Sequence, residues 1–290
     1  MRQGFFVLFL YVFSSFAYCQ KQNSLLYHSY QSKSIKELHT FYENWASAIT
    51  TMNDSSLERV NDTIRNIYHV FQSFYNPKDI GRLGGSEWGN DIYKNVQFLI
   101  TQDRIIYGFV DTLNKEVLIQ KVIYIIAKGN KNGIDTLLNQ YGRDTAHFEA
   151  EYLEWPTPKI HDTLFGFYPQ LSFSLVKALP LIPVYNRLLN QFLGDSHYNL
   201  GAGNIMAPAR SKGESEKRMK FLENYIRIWY GHWGGYWQLY SYPYVSQIIF
   251  DPHFEHALIY FTMIYEGGYA YLKRINGAWT LIQAKRTWIE

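Results

Sequence analysis

The clearest fold signal in this chain lies in residues 256–290. They read HALIYFTMIYEGGYAYLKRINGAWTLIQAKRTWIE. The apolar and aromatic residues among them fall into runs that turn residues separate, which is typical of antiparallel strands. Asn276-Gly277 is the strongest hairpin signal in the chain, because both residues tolerate a positive φ. Gly267-Gly268 permits a second tight turn or a bulge. The strands predicted here are Ala257–Tyr265, Tyr269–Ile275 and Ala278–Ile289, and Gln238–Tyr242 and Val245–Phe250 precede them.

Helical patterns stand at the other end of the chain. Ser34 and Glu37 form a capping box, which predicts a helix start, and apolar residues follow at steps of three and four up to Met52. A second capping box at Ser55–Glu58 opens another apolar stripe, which ends before Pro77. A short turn joins the two helices, so we expect an antiparallel pair. Helices first and a meander last predict an α+β fold, with an N-terminal helix pair and a curved, cone-like C-terminal sheet.

The middle of the chain carries weaker signals. Strand-like runs cover Val96–Ile100, Ile105–Val110 and Val117–Ala127, and a helix is predicted from Pro183 to Gly194. A capping box at Ser211–Glu214 and an apolar stripe from Met219 to Trp229 predict another helix, which ends at Gly231. Residues 21–33 are polar, and we expect them to be loose. We therefore expect a single unit over residues 21–290, with a large central insertion and a candidate boundary near residues 180–213.

The closing strands, with Asn276-Gly277-Ala278-Trp279 between the last two, resemble the end of the nuclear transport factor 2-like superfamily. Helices around Phe41, Tyr42 and Trp45 suit the same cone-shaped fold. The match covers about a fifth of the chain, and the whole sequence also resembles exported bacterial proteins. The superfamily contains enzymes, binding modules and adaptors, so the resemblance implies a fold and no catalytic residue.

The first twenty residues have the pattern of a signal peptide. Arg2 supplies a positive charge, and an apolar run from Phe5 to Phe16 is too short to span a bilayer. Small residues at Ser15 and Ala17 fit a cleavage site. Acylation of Cys19 is disfavoured because Tyr18 is bulky. We therefore expect an exported bacterial protein, periplasmic or secreted, without an integral membrane segment in the mature chain.

Composition narrows the class of protein. The formal net charge of the 290 residues is only +3, which argues against a nucleic-acid partner. The single cysteine excludes a disulfide framework and a thiolate metal site. Aromatic residues make up 18% of the chain, and tyrosine and tryptophan suit both pocket walls and interfaces.

Two glycine-rich segments carry the candidate site residues. His232 can titrate near neutral pH, and the rings of Trp233, Tyr236 and Trp237 offer flat faces to a ligand. Glycines around them allow a close backbone approach. A helix end that turns into a strand over a packed core explains the same pattern. The earlier segment, residues 84–91, offers Trp88 as a further ligand-binding ring.

Three carboxylates could act with His232 as an acid–base pair. They are Glu87, Asp91 and Glu266, the last of them at a strand end. Asp251, His253 and His256 have the residue types of a zinc site. We interpret that motif as a solvated turn, since residues three apart on a strand point to opposite faces. We expect no metal and no cofactor.

Three functions remain open at the level of sequence. The leading hypothesis is a ligand-binding or accessory module, in which the two glycine-rich segments meet around an aromatic pocket for a glycan or other small molecule. The alternatives are an acid–base enzyme of the cone fold (hydrolase, isomerase or lyase) and a protein-docking module. The oligomeric state stays open.

Overall fold

The computed structural model describes residues 20–84, 91–119, 154–171, 176–194, 212–230, 237–264 and 266–289. The helices are α1 (20–31), α2 (Ile35–Ser47), α3 (Asp54–Leu57), α4 (Asp62–Phe74), a 3-10 helix (Ile80–Leu83), α5 (115–119), α6 (Pro183–Leu193) and α7 (Lys212–Leu222). The strands are β1 (Phe98–Thr101), β2 (Arg104–Phe109), β3 (His161–Phe165), β4 (Lys177–Pro180), β5 (Trp229–Tyr230), β6 (Trp237–Gln238), β7 (Tyr244–Phe250), β8 (His256–Met263), β9 (Glu266–Ile275) and β10 (Ala278–Ile289). No helix in these ranges is long and apolar enough to cross a membrane.

A six-stranded, mostly antiparallel sheet confirms the predicted α+β class. Its strand order is β10-β9-β8-β7-β2-β3, so the last four strands form the predicted meander. The β2–β7 pairing is parallel and joins the antiparallel β2–β3 pair to that meander. Asn276 has φ 51° and Gly277 has φ 84°, as the predicted tight hairpin requires.

Gly267-Gly268, for which the sequence allows a tight turn or a bulge, lies at a bulge. Gly267 and Gly268 lie inside β9, and β10 shifts register opposite them, between Arg286 and Trp288. A Cβ on Gly268 would stand 2.0 Å from the carbonyl oxygen of Lys285, so only glycine fits. The chain turns before β9, at Ile264, which has φ 53°.

Two large hydrophobic cores and a third, smaller cluster around Ile249, Leu258 and Tyr271 hold the described residues together. The sheet core lies between α4 and one face of the meander. The helical core gathers α1, α2, α6 and α7. The two N-terminal helices therefore do not pack as an antiparallel pair, because the buried side chains of α2 belong to the helical core and those of α4 to the sheet core.

Residues 21–33, predicted to be loose, are mostly helical, because α1 covers residues 20–31. Gln22, Leu26 and Ser29 recur at helical spacing on one face of α1 and are buried, with Leu26 inside the helical core. The prediction was wrong because polar residues on the outer face outnumber the few apolar ones that bury the inner face.

Several predicted boundaries shift for local reasons. Asn61 caps α4 through its side-chain oxygen, so this helix begins after Ser55–Glu58. α7 ends at Leu222, and Trp229 lies in β5. Val117 lies in α5, and the rest of that predicted strand is outside the described residues. The predictions that α6 starts at Pro183 and is capped by Gly194 are confirmed.

Candidate functional site

Most of the predicted site residues fall outside the described part of the chain. They are Glu87, Trp88, His232, Trp233 and Tyr236. Asp91, Trp237 and Glu266 are described, together with the residues that flank both glycine-rich segments.

The described flanks of the two segments contact each other. The hydroxyl of Tyr93, just after the first segment, accepts a hydrogen bond from Nε1 of Trp229, just before the second, at 3.2 Å. It also accepts one from the backbone N–H of Tyr242 at 2.9 Å. Tyr93 is fully buried, and burial raises its pKa to about 12. A buried tyrosine thus ties together two parts of the chain about 140 positions apart.

Asp91 lies on the surface. Its side chain is 86% exposed, and its carboxylate stands 3.5 Å from the ammonium of Lys94. Exposed ion pairs of this kind contribute little to stability. The location gives Asp91 no protected environment of the sort that acid–base catalysis uses.

Glu266 is the opposite case, because its side chain is completely buried. One carboxylate oxygen accepts a hydrogen bond from the guanidinium of Arg286 at 2.5 Å. The other oxygen, Oε1, has no hydrogen-bond partner among the described residues. Arg286 also donates from Nε to the carbonyl oxygen of Gly84 at 3.0 Å. The buried ion pair therefore anchors the start of the first glycine-rich segment, and a substrate would reach Glu266 only if Arg286 moved.

Trp237 belongs to a cavity of about 370 Å³. Three tyrosines, Tyr240, Tyr242 and Tyr244, share its wall, and we call this cavity the aromatic pocket. The remaining lining residues are Leu181, Asn186, Gln238, Leu239, Thr262 and Ile264. The strand pair β5–β6 positions Trp237, the connection from β6 to β7 contains Tyr240 and Tyr242, and β7 begins with Tyr244.

Polar groups inside the aromatic pocket are few and differ in how they are used. The hydroxyl of Tyr242 donates to Oε1 of Gln238, and the amide nitrogen of Gln238 donates to the carbonyl oxygen of Ile264 at 3.4 Å. The hydroxyls of Tyr240 and Tyr244 have no hydrogen-bond partner among the described residues. These two hydroxyls are therefore available to a ligand.

The rings of Tyr240 and Tyr244 lie against each other, with centroids 4.9 Å apart. Burial raises the pKa of Tyr240 to about 12 and raises that of Tyr244 as well. Both hydroxyls stay protonated at neutral pH and can donate or accept a hydrogen bond. All ten lining residues of the pocket are uncharged at neutral pH, so the pocket suits a neutral ligand.

Sequence reasoning found Trp237 and missed the other walls of the pocket. The run Tyr236-Trp237-Gln238-Leu239-Tyr240-Ser241-Tyr242-Pro243-Tyr244 is dense in aromatic residues. That density is a signal for an aromatic pocket. It was interpreted instead as part of the strand predicted at Gln238–Tyr242. Leu181, Asn186 and Thr262 come from three other elements, and no local pattern points to them.

The motif of Asp251, His253 and His256 divides in the structure. Asp251 and His256 are buried, with Nδ1 of His256 donating to Oδ2 of Asp251 at 2.6 Å, so the prediction of a solvated turn was wrong for these two residues. Glu255 joins them within 4.8 Å as a third group with a metal-ligating atom, whereas His253 is exposed. The other oxygen of Asp251 accepts from the backbone N–H of Glu255 at 2.9 Å. Both oxygens of Asp251 therefore hold the β7–β8 turn together.

No protein-family model, curated protein or solved structure matches this chain. The geometry of the described residues is therefore the basis for the function proposed below.

Proposed function

We propose that the protein is an exported ligand-binding module, and that its aromatic pocket takes a neutral ring that bears hydroxyl groups, as a glycan does. One observation carries this proposal: a cavity of about 370 Å³ is walled by one tryptophan and three tyrosines and lined only by uncharged residues. Such a surface combines ring faces for stacking with a few hydrogen-bonding groups for orientation.

The polar groups of the pocket support a sugar in particular. The hydroxyls of Tyr240 and Tyr244, which bond to no described residue, can each donate and accept, which matches the hydrogen bonds that a sugar hydroxyl makes. The side chains of Asn186 and Thr262 add an amide and a third hydroxyl to the same lining. Export of the chain, with residues 1–20 as a signal peptide, belongs to the same proposal, as does the relation to the nuclear transport factor 2-like superfamily.

The test is a titration of residues 21–290 with neutral mono- and oligosaccharides, followed by tryptophan fluorescence and by calorimetry. Trp237 lines the pocket, so we expect a saturable change in fluorescence. Tyr244→Ala should weaken binding about fivefold, because a stacked ring contributes about 1 kcal/mol. Tyr244→Phe should weaken it less, since it removes only the hydroxyl.

Tyr260→Phe is the matched control, because this half-buried tyrosine lies in the same sheet and outside the aromatic pocket. A panel without any saturable ligand, or equal affinities of wild type and Tyr244→Ala, would contradict the proposal. The export part is tested separately, by sequencing the N-terminus of the protein recovered outside the bacterial cytoplasm.

Protein docking is a second candidate, and one feature favours it. β3 is an edge strand of the six-stranded sheet, and Ile160 and Phe165 beside and within it are 80% and 71% exposed. Ile160 also lines a groove of about 610 Å³ between β2 and the segment before β3. An extended apolar peptide that adds a strand to β3 would cover these side chains. If Phe165→Asp abolishes binding of such a peptide and spares sugar binding, the two functions are separate.

A further inference from the structure

A second cavity, of about 470 Å³, lies at the end of β7 and β8 that is farther from the aromatic pocket. Three elements that are distant in sequence form it: α4, the turn between β7 and β8, and the hairpin between β9 and β10. We call it the polar pocket. Its lining includes the polar side chains of Asp62, Arg65, His69, Ser73, His253 and Arg274, and Trp279 is among its walls.

Part of this lining is already engaged within the protein. Arg65 donates to the carbonyl oxygens of Leu57 and Val60, both at 3.1 Å, and to the carboxylate of Asp62 at 3.0 Å. Nε1 of Trp279 donates to the amide oxygen of Asn66 at 3.0 Å. These contacts hold the start of α4 and the hairpin in place, and the charges of Arg65 and Asp62 offset each other.

The other polar side chains of this lining have hydrogen-bonding capacity that no described residue uses. Arg274 donates through Nε to the carbonyl oxygen of Gly277 at 3.2 Å, and its two terminal nitrogens have no partner among the described residues. The rings of His69 and His253 and the hydroxyl of Ser73 likewise have none within the described ranges. A guanidinium, two imidazoles and a hydroxyl therefore face one cavity with unused hydrogen-bonding capacity.

We propose that the polar pocket binds an oxyanion, the phosphoryl or sulfate group of a small molecule, with Arg274 and His69 as its principal contacts. The unused groups are mainly donors, and a guanidinium fork matches the tetrahedral arrangement of phosphate or sulfate oxygens. His69 and Ser73 are one helical turn apart on α4, so both can reach the same group. This site is independent of the aromatic pocket and of the function proposed for it.

The electrostatics of His69 make the binding sensitive to pH. Burial lowers the pKa of His69, Arg274 and Arg65 lower it further, and Asp54 opposes them. His253 and Asp62 are the other titratable groups that line this cavity. His69 is therefore neutral at neutral pH, and a bound oxyanion favours its protonated form, so we expect binding to tighten as pH falls.

The experiment is calorimetric titration of residues 21–290 with sodium sulfate and with sodium phosphate, against sodium chloride at the same ionic strength. Sulfate keeps its charge between pH 5 and 8, so a change in its affinity reports the protein and not the ligand. We expect one sulfate per chain, bound more tightly at pH 5.5 than at pH 7.5. These pH values are chosen to lie on either side of about 6.5, the ordinary pKa of histidine.

Three variants assign the site. Arg274→Gln should weaken sulfate binding about tenfold, because it removes a charge-assisted hydrogen bond. His69→Gln should remove most of the pH dependence and keep binding at neutral pH. Lys273→Gln is the matched control, because this exposed neighbour changes the charge equally and points to the other face of β9.

Two results would overturn the proposal. The first is a wild-type response to sulfate and phosphate no larger than the response to chloride. The second is a loss of affinity that is as large in Lys273→Gln as in Arg274→Gln, which would reduce the effect to net charge. Circular dichroism of each variant shows whether it is folded, and Arg274→Lys, which keeps the charge without the fork, should bind with intermediate affinity.

Discussion

The two larger hydrophobic cores, the helical core and the sheet core, border cavities of opposite chemistry. The helical core contributes Trp237 to the aromatic pocket, whose lining carries no charge at neutral pH. The sheet core contributes Trp279 to the polar pocket, where arginine and histidine side chains face the cavity. A buried indole alone therefore does not define a ligand class. The ligand class depends on the side chains around the indole that have no partner among the described residues.

The prediction with the greatest change in the free energy of unfolding tests whether the helical core and the sheet core unfold independently. Trp45 is fully buried in the helical core, stacks on Tyr185 with ring centroids 4.2 Å apart and donates to the carbonyl oxygen of Pro180. Trp45→Ala should lower the free energy of unfolding by about 4 kcal/mol. Because β1 buries Leu99 in the sheet core and its neighbours Phe98 and Ile100 in the helical core, we expect one cooperative transition in urea by circular dichroism and fluorescence. A separate early transition that leaves the sheet folded would divide the chain into two domains.

The next prediction compares two ion pairs of equal length. Glu266–Arg286 and Glu43–Lys177 both have a nitrogen–oxygen distance of 2.5 Å, but Glu266 is buried whereas the Lys177 side chain is 58% exposed. Arg286→Ala should cost about 3 kcal/mol, because it leaves a buried carboxylate without its partner. Lys177→Ala should cost less than about 1 kcal/mol. Urea denaturation measures both, and similar losses would contradict the role assigned to burial.

Alkaline pH should destabilise both cores. Burial raises the pKa of Tyr42 in the helical core and of Tyr75 in the sheet core well above the ordinary value. Because the folded-state pKa is raised, the stabilisation is complete below about pH 10 and is lost as pH rises towards the folded-state pKa. Each tyrosine should contribute about 1.4 kcal/mol per pH unit in that range. Melting temperatures measured on either side of about pH 10 should fall less steeply in Tyr42→Phe and Tyr75→Phe, and an unchanged slope in both would refute the assignment.

The smallest effects concern the helix caps of the two cores. Ser34 caps α2 and Asn61 caps α4, each through a side-chain oxygen that accepts a backbone N–H three residues on. Ser34→Ala and Asn61→Ala should each cost about 1 kcal/mol. Thermal unfolding measures both, with the exposed Ser55 as the matched site for a serine that caps no helix. A loss at Ser55→Ala as large as at Asn61→Ala would restore the helix start that the sequence predicts.

The sequence predicts the elements whose signals are local. The Asn276-Gly277 hairpin, the Ser34 cap and the Pro183–Gly194 helix depend on the conformations of a few neighbouring residues, and all three are confirmed. α1 was missed because its stability comes from burial against α6 and α7, which no local pattern records. The same holds for the packing of α2 and α4 into different cores.

The residues of the candidate sites also divide into those that local sequence indicates and those that only long-range packing brings together. Aromatic density near Trp237 is visible in the sequence, and the buried Glu266 was singled out as an acidic residue at a strand end. Only the tertiary structure pairs Glu266 with Arg286, and only it brings His69, His253 and Arg274 to one cavity. The physical reason is range: turns and caps are satisfied within a few residues, whereas a pocket consists of the groups that long-range packing leaves without partners.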